Sequence, residues 1–584
     1  MPHNIRIDYD VEMQTRDGVT LRADVVRPDI SSKVPAVVSR TPYSKGGQFA
    51  SNRYCPPWTL AQNGYAVVLQ DIRGRYASEG EWDFKDLTSA NIDDGVDTVE
   101  WVASLEWCDG NVGMAGGSYV AETQLAAAMG NPPHLRCIAP SLMGMGAVRA
   151  IGHGSLPLES MTIGWMSGLA IDRVMKLLPT GDADPTDIMT LLNAMTRPDI
   201  ASQTLPLNDL LTLGSAGMPR YTDTVEMVDN VVKLKGGMQE KAMHVPALWT
   251  WGWYDNAGGA DQFNLMRTTS ATEVARNDTR MIIGPWTHNH CGNFVGCLGV
   301  GALGSAEGSG VAALHLRYYD RHLRGASVDI APVRYFVLGA NEWREANAWP
   351  IPGTEFQRWY LHSRGSANSA GGDGVLTRDD PAASESPDRY DYNPLEPTPS
   401  WGHRVMYTGG TTVAGPYEQT RIEQRDDVLC YTSPPFTEQT ELVGDITANL
   451  WFSTDVKDTD FIAKLCVVWA DGTSINLVDG AMRARYREGY TNPSLLEPGG
   501  IYNIELEMGP CGYRFEPGMS VRLQITSSAF PHLDRNMNTG NAIGDDASGP
   551  IAHTALFHDA DHPSYVALPI QPEPGPMMLP PLPF

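Results

Sequence analysis

Short apolar runs separated by turn residues open the chain, and the spacing of those runs changes character along its length. Residues 19–26 alternate apolar and polar positions as a half-buried strand does, with Pro28 just beyond. Residues 34–39 and 65–70 are compact apolar runs, the pattern of strands buried on both faces. Between 93 and 105 the apolar positions Val96, Val99, Trp101, Val102 and Leu105 follow a helical period. Residues 111–116 predict another strand, entered through Asp109-Gly110. An Ala-, Leu- and Gln-rich stretch over 123–129 then predicts a closely packed helix, and 135–139 the next strand. Strands alternating with helices indicate an α/β domain.

That alternation stops between about 145 and 240. Met and Leu become frequent there, and helices are predicted over 158–177, 185–196 and 222–235, a helical insertion covering one edge of the sheet. Strand patterns resume at 245–250 and 279–283, and a helix over 312–322 precedes the turn Arg324-Gly325. Residues 333–338 begin a region of short strands. Beyond 352 strand-like runs such as 446–452, 461–469 and 521–526 are separated by Gly, Pro and Asp, while 363–386 reads as loop. The expected organisation is an α/β domain in two parts, 1–144 and 241–351, a helical cap at 145–240, and a β-sandwich of jelly-roll type at 352–584.

Composition narrows the function. The 584 residues carry 69 acidic against 43 basic side chains, a formal charge of -26. That balance speaks against a nucleic-acid surface built on phosphate contacts, and equally against attachment to anionic membranes. The amino-terminal MPHNIRIDYD offers no apolar signal or anchor, and no later stretch reaches about 18 uncharged apolar residues, so a cytoplasmic protein is expected. Eight cysteines with no CxxC pair are too sparse for a disulfide scaffold. Cys291 and Cys297 could close a small loop, but isolated thiols are the expected state. No zinc signature is present, and no metal or organic cofactor is expected.

The candidate chemistry lies at predicted strand ends. Gly116-Gly117-Ser118-Tyr119 sits between a predicted strand and helix, the setting of a nucleophile elbow. The full G-x-S-x-G pattern would need Gly where Val120 stands, and a Gly-Gly-Ser turn also has a purely structural reading. Asp255 follows the apolar run 248–254 and His288 follows 281–287. The order Ser, acid, His is that of α/β-hydrolases, in which His takes the serine proton and the acid orients His. His290 competes with His288, or serves only the loop around Asn289. Asp71 and Arg73, at a strand end, are expected to form a buried scaffold ion pair. Asp458 and Asp460 lack calcium-loop spacing and are expected in a turn of the β region.

Several motifs carry a resemblance. They include Arg40-Thr41-Pro42-Tyr43, Asp71-Ile72-Arg73-Gly74, Trp107-Cys108-Asp109-Gly110-Asn111-Val112-Gly113, Gly252-Trp253-Tyr254-Asp255 and Gly284-Pro285-Trp286-Thr287-His288. Others stand at Tyr318-Tyr319-Asp320-Arg321-His322, Arg485-Tyr486-Arg487 and Ser527-Ser528-Ala529-Phe530-Pro531. Together they resemble the bacterial cocaine esterase group, the CocE/NonD-type serine hydrolases, which stand with α-amino acid ester hydrolases, glutaryl acylases and X-prolyl dipeptidyl aminopeptidases of the S15-like superfamily. The resemblance implies an α/β-hydrolase domain with a helical cap and a jelly roll. It implies Ser118 as nucleophile, His288 as base and Asp255 as orienting acid, with the Tyr43 hydroxyl and the Tyr119 N–H as the oxyanion hole. Trp165 and Asn256 would face the substrate pocket.

It further implies a small-molecule ester or amide substrate, no cofactor and a homodimer as one assembly. Ala121 replaces a glycine frequent in the family, keeping a small residue there. The Asn256-Ala257-Gly258-Gly259 run lacks the aromatic that the group carries near this point, against an inherited preference for aromatic esters. Ester hydrolysis through an acyl-enzyme is the first reading. An amidase, a β-lactam or glutaryl acylase, and an X-prolyl dipeptidyl peptidase are alternatives, and a non-catalytic binding protein built on the jelly roll is another.

Overall fold

The computed structural model describes residues 2–48, 50, 52–82, 89–142, 159–210, 243–255, 259–405, 413–489 and 492–580. Ten strands form the first sheet: β1 (Ile5–Gln14), β2 (Thr20–Pro28), β3 (Val34–Thr41), β4 (Ala66–Asp71), β5 (Cys108–Gly117), β6 (Leu135–Ser141), β7 (Leu248–Tyr254), β8 (Arg280–Thr287), β9 (Val333–Val337) and β10 (Glu342–Ala346). Their spatial order is β1-β2-β4-β3-β5-β6-β7-β8-β9-β10. From β4 to β9 every neighbouring pair is parallel, with antiparallel strands added at both edges.

Strands β3, β4, β7 and β8 are buried at every position. That is what uninterrupted apolar runs demand in a sheet covered on both faces. Helices Ser89–Ser104, Tyr119–Met129 and Val311–Arg324 pack against the sheet or against one another. The last of these buries Leu314, Leu316, Tyr318, Tyr319 and Leu323, and stops at Gly325 in the left-handed conformation. Arg321 and Arg324 in its final turn complement the helix dipole.

Two differences from the sequence-based expectation have plain causes. β1 carries exposed or partly exposed residues on both faces, so it shows no alternation to read. The helix expected over 123–129 begins at Tyr119, directly after Ser118, because all eleven of its residues are buried and its first turn packs as tightly as the rest.

The insertion enters the chain between β6 and β7. Helices Glu159–Leu177 and Pro185–Thr196 lie within one residue of expectation, whereas the helix expected over 222–235 lies outside the described residues. The second helix starts with Pro at its first position, and Asp184 accepts a hydrogen bond from the Thr186 N–H.

The carboxy-terminal part is an eleven-stranded β structure. Thr440–Thr454 is its spine, pairing with Ile501–Phe515, Tyr565–Gln571 and Ala552–Phe557. The runs expected over 446–452, 461–469 and 521–526 fall on strands Thr440–Thr454, Asp460–Val468 and Ser520–Thr526. The loop expected over 363–386 contains one short strand, Val375–Thr377. Asp460 begins a strand rather than lying in a turn, and Asp458 is equally buried. Arg485 holds Asp458 at 2.7 Å and Arg483 holds Asp460 at 2.9 Å, with Asn536 bonded to both.

The fold class is thus the expected α/β domain with a helical insertion, followed by a β-sandwich. The two parts meet close to β7. The Trp253 ring packs against Gly512 of the sandwich, and Trp349 donates to Asp445 at 2.8 Å. Leu338 also pairs with Tyr513. All eight cysteines are free thiols, Cys291 and Cys297 included. Among the described residues no helix is long and apolar enough to cross a membrane.

Candidate active site

Ser118 joins β5 directly to the helix Tyr119–Met129, with φ 61° and ψ -132°. A side chain in that strained region persists only where its surroundings impose it. Here the Ser118 N–H donates to the Ser141 carbonyl at 2.9 Å and its own carbonyl accepts from the Ala121 N–H at 2.8 Å. Gly116 has φ +138°, and a Cβ there would lie 2.1 Å from Val120 Cγ1, so only glycine permits the turn. Gln124 closes the elbow from the helix side, donating to the Gly116 carbonyl at 3.0 Å and accepting from the Ala139 N–H at 3.0 Å. The missing glycine at 120 is therefore immaterial: Val120 packs against Gly116 from the first turn of the helix.

Tyr43 comes just after β3, the strand that lies between β4 and β5 in the sheet. Its hydroxyl is in hydrogen-bonding contact with the Ser118 side chain, the Trp165 indole and the Tyr119 backbone N–H. The Trp165 Nε1–H donates to it at 3.0 Å. Burial pushes the Tyr43 hydroxyl above its usual value, only partly offset by those bonds, so it remains a protonated donor. Trp165, on the insertion helix Glu159–Leu177, also packs its ring 6.3 Å from that of Tyr119. The cap thus reaches the tyrosine beside the serine.

His288 and Asp255 leave the carboxyl ends of the adjacent parallel strands β8 and β7. His288 Nδ1 lies 2.7 Å from Asp255 Oδ1, and the residues are 5% and 1% exposed, which places a charge-assisted bond out of water. Register between the strands shifts after the Gly252–Gly284 pair, so that Tyr254 faces Thr287. An extra residue on β8 re-aims the end of the strand and the His288 side chain beyond it. Gly252 is required there, since a Cβ would meet the Trp286 carbonyl oxygen at 2.1 Å.

The competing His290 is exposed. Its N–H donates to Thr287 Oγ1 at 3.0 Å and its carbonyl accepts from the Thr287 N–H, closing the turn that carries His288. Asn256 lies outside the described residues. The expected Asp71–Arg73 pair does not form. Arg73 turns to Asp94 at 2.7 Å and Asp17 at 2.9 Å. Asp71 instead accepts from the backbone N–H groups of Lys45 and Ala77, and burial raises its carboxyl to about 6. The short chain between 71 and 73 directs their side chains apart, and the guanidinium reaches the helix carboxylate instead.

Sequence reading missed Arg75. Its buried guanidinium donates to the Pro42 carbonyl at 3.1 Å and to the Leu169 carbonyl at 3.0 Å, tying the Tyr43 turn to the cap helix. Its only signal was its position beside the Asp71-Ile72-Arg73-Gly74 motif. Arg404, from the β-sandwich, lies near enough for its charge to interact with Asp255. None of these groups is a metal-ligand set. The one such cluster among the described residues, His403, Asp479 and His532, belongs to the sandwich.

Residues 17–290 match the family described as X-Pro dipeptidyl-peptidase (S15 family), and residues 327–567 match the X-Pro dipeptidyl-peptidase C-terminal non-catalytic domain. The chain is 35% identical to the cocaine esterase of Rhodococcus sp. (strain MB1 Bresler), over 97% of this chain and 99% of that one. An aminopeptidase from the marine sediment archaeon Thaumarchaeota archaeon shares the fold at TM-score 0.75 and 20% identity, covering 98% of this chain and 96% of that one. An α-amino acid ester hydrolase does so at TM-score 0.72 and 21% identity, covering 97% of each.

Proposed function

The chain belongs to the cocaine esterase family, the CocE/NonD-type serine hydrolases of the S15-like superfamily, and on that premise we propose how its own residues carry the reaction. It is a carboxylic ester hydrolase of the serine acyl-enzyme type. Ser118 Oγ attacks the ester carbonyl while His288 takes its proton through Nε2. Asp255 on Nδ1 fixes the tautomer and stabilises the imidazolium. The tetrahedral oxygen is held by the Tyr43 hydroxyl and the Tyr119 N–H. His288 returns the proton to the departing alkoxide, and water, activated by the same imidazole, clears the acyl group.

The observation that carries this reading is the Tyr43 hydroxyl in contact with both the Ser118 side chain and the Tyr119 N–H, at a serine held in a strained elbow. Donors placed before charge develops contribute in the transition state, where they accelerate the reaction. Trp165 supports the arrangement by donating to the Tyr43 oxygen, which fixes the hydroxyl beside Ser118.

The domain division accords with the same reading: an α/β-hydrolase domain over 1–144 and 241–351, a cap over 145–240 that shapes the pocket, and a jelly roll over 352–584. The substrate is a small ester. Without an aromatic in 256–259, its acyl group is not required to be aromatic. Matched ester and amide pairs, from acetyl through benzoyl and glutaryl to α-aminoacyl and Xaa-Pro, test this with the wild type beside Ser118→Ala. Ester turnover abolished by the substitution is the expected result. Faster turnover of Xaa-Pro amides than of any ester would replace this substrate class with a peptide one.

A further inference from the structure

A second group of side chains capable of chemistry sits inside the β-sandwich, unused by ester hydrolysis. His403 lies on a segment bridged to Ala414, Asp479 on strand Ser474–Arg483, and His532 just beyond Phe530-Pro531. These three segments, distant in sequence, bring their side chains together in the interior, where the residues are 0%, 1% and 1% exposed. His403 Nδ1 is 3.1 Å from Asp479 Oδ2. The two imidazole rings lie 5.1 Å apart between centroids with an interplanar angle of 31°. One ligand atom from each of the three residues falls within 4.8 Å of the other two.

Burying two imidazoles and a carboxylate is costly unless something satisfies them. The His403 Nε2 atom has no hydrogen-bond partner among the described residues. Two nitrogens and one carboxylate oxygen suit first-row transition ions, whereas calcium and magnesium prefer all-oxygen sets. Tetrahedral zinc places its ligand atoms about 3.4 Å apart, from metal–ligand distances of about 2.1 Å. The His403 Nδ1–Asp479 Oδ2 distance of 3.1 Å is close to that spacing, and all three ligand atoms lie within 4.8 Å of one another.

Two cations border the group. Arg404 donates to the Asp479 backbone carbonyl and to the Met508 carbonyl, and Lys464 is held by Gln419 Oε1 at 2.9 Å. An ion entering here must compete with them for the Asp479 charge, which favours strongly bound ions of the zinc type over weak ones. We infer that His403, Asp479 and His532 form a structural site for one divalent transition-metal ion. It would pin three separate segments of the sandwich with two imidazoles and one carboxylate, completed by solvent.

The test uses the full-length untagged protein, stripped with a chelator and then dialysed against Zn2+ or Co2+. The expected result is one equivalent of Zn2+ per chain by elemental mass spectrometry, the visible absorption of low-symmetry Co2+, and a raised Tm. His403→Ala and His532→Ala should each lower the retained metal at least tenfold. Retained ester turnover shows that these variants are folded. If both fail to fold, the wild-type Zn2+ stoichiometry and Co2+ spectrum decide. A wild type retaining under a tenth of an equivalent overturns the inference, as do folded variants that retain as much metal as the wild type.

Discussion

Replacing Tyr43 by Phe removes one hydroxyl and leaves the ring. The hydroxyl is desolvated, contacts the Ser118 side chain and accepts from Trp165 at 3.0 Å, so its oxygen is fixed beside the nucleophile. Loss of one of two oxyanion donors in such a site costs roughly 3 to 4 kcal/mol, a fall in kcat of about 100- to 1000-fold. The Tyr119 N–H survives, so activity should stay above that of Ser118→Ala. KM should change little, because the donor acts on charge present only in the transition state. Trp165→Phe keeps the Tyr43 hydroxyl and removes only the bond that orients it, roughly 1 kcal/mol and about fivefold in rate. Steady-state kinetics on an activated acetyl ester, with pre-steady-state acylation, read both effects. Tyr43→Phe within threefold of wild type would refute the reasoning, as would Trp165→Phe being the more damaging of the two.

Two further predictions concern pH and stability. Glu122 is buried with neither carboxylate oxygen hydrogen-bonded, and burial raises its carboxyl from 4.5 to about 7. Folding stability is therefore lost as pH rises from the unfolded value through the folded one, reaching on the order of 3 kcal/mol. Denaturant unfolding should show Glu122→Gln more stable than wild type above pH 7, with the advantage shrinking toward pH 4. A constant difference would contradict the burial argument. His558 sits between Glu385 and Asp388, both at 3.0 Å. Burial alone would depress its pKa, but the hydrogen bonds and charges of the two carboxylates win and raise it. Asp388 and Glu385 are held below their usual values. The His558 contribution is complete below its unfolded value near 6.5 and fades as pH rises through the raised one. The carboxylate contribution is present above about 4.5 and fades on acidification. The Tm deficit of His558→Gln should thus be widest near pH 5 to 6 and narrow toward pH 9. A deficit that grows with pH would reverse the sign of the account.

Ser118 was legible because small residues at a strand-to-helix junction have few uses, and because Asp255 and His288 each follow an apolar run in the order such sites require. Tyr43 was not legible in that way. A tyrosine after a proline turn carries no local signal, and only the family resemblance singled it out. The Tyr43–Trp165 bond spans 122 positions and depends on how the cap helix lies, which periodicity does not encode. Arg73 shows the same limit: its charge was visible, but its choice of Asp94 over Asp71 is set by helix Ser89–Ser104 packing beside it. β1 escaped notice because an edge strand with partly exposed faces has no hydrophobic face to alternate. The central strands were plain because burial on both sides leaves an unbroken apolar run.

The central claim is that Ser118 forms the covalent intermediate, with His288 drawing its proton. Treatment with a fluorophosphonate, then intact mass and peptide mapping, tests it most directly. The account predicts one adduct per chain, located on Ser118, lost in Ser118→Ala and formed at least 100-fold more slowly in His288→Ala. An adduct on another residue, or labelling and ester turnover that persist in Ser118→Ala, would contradict it.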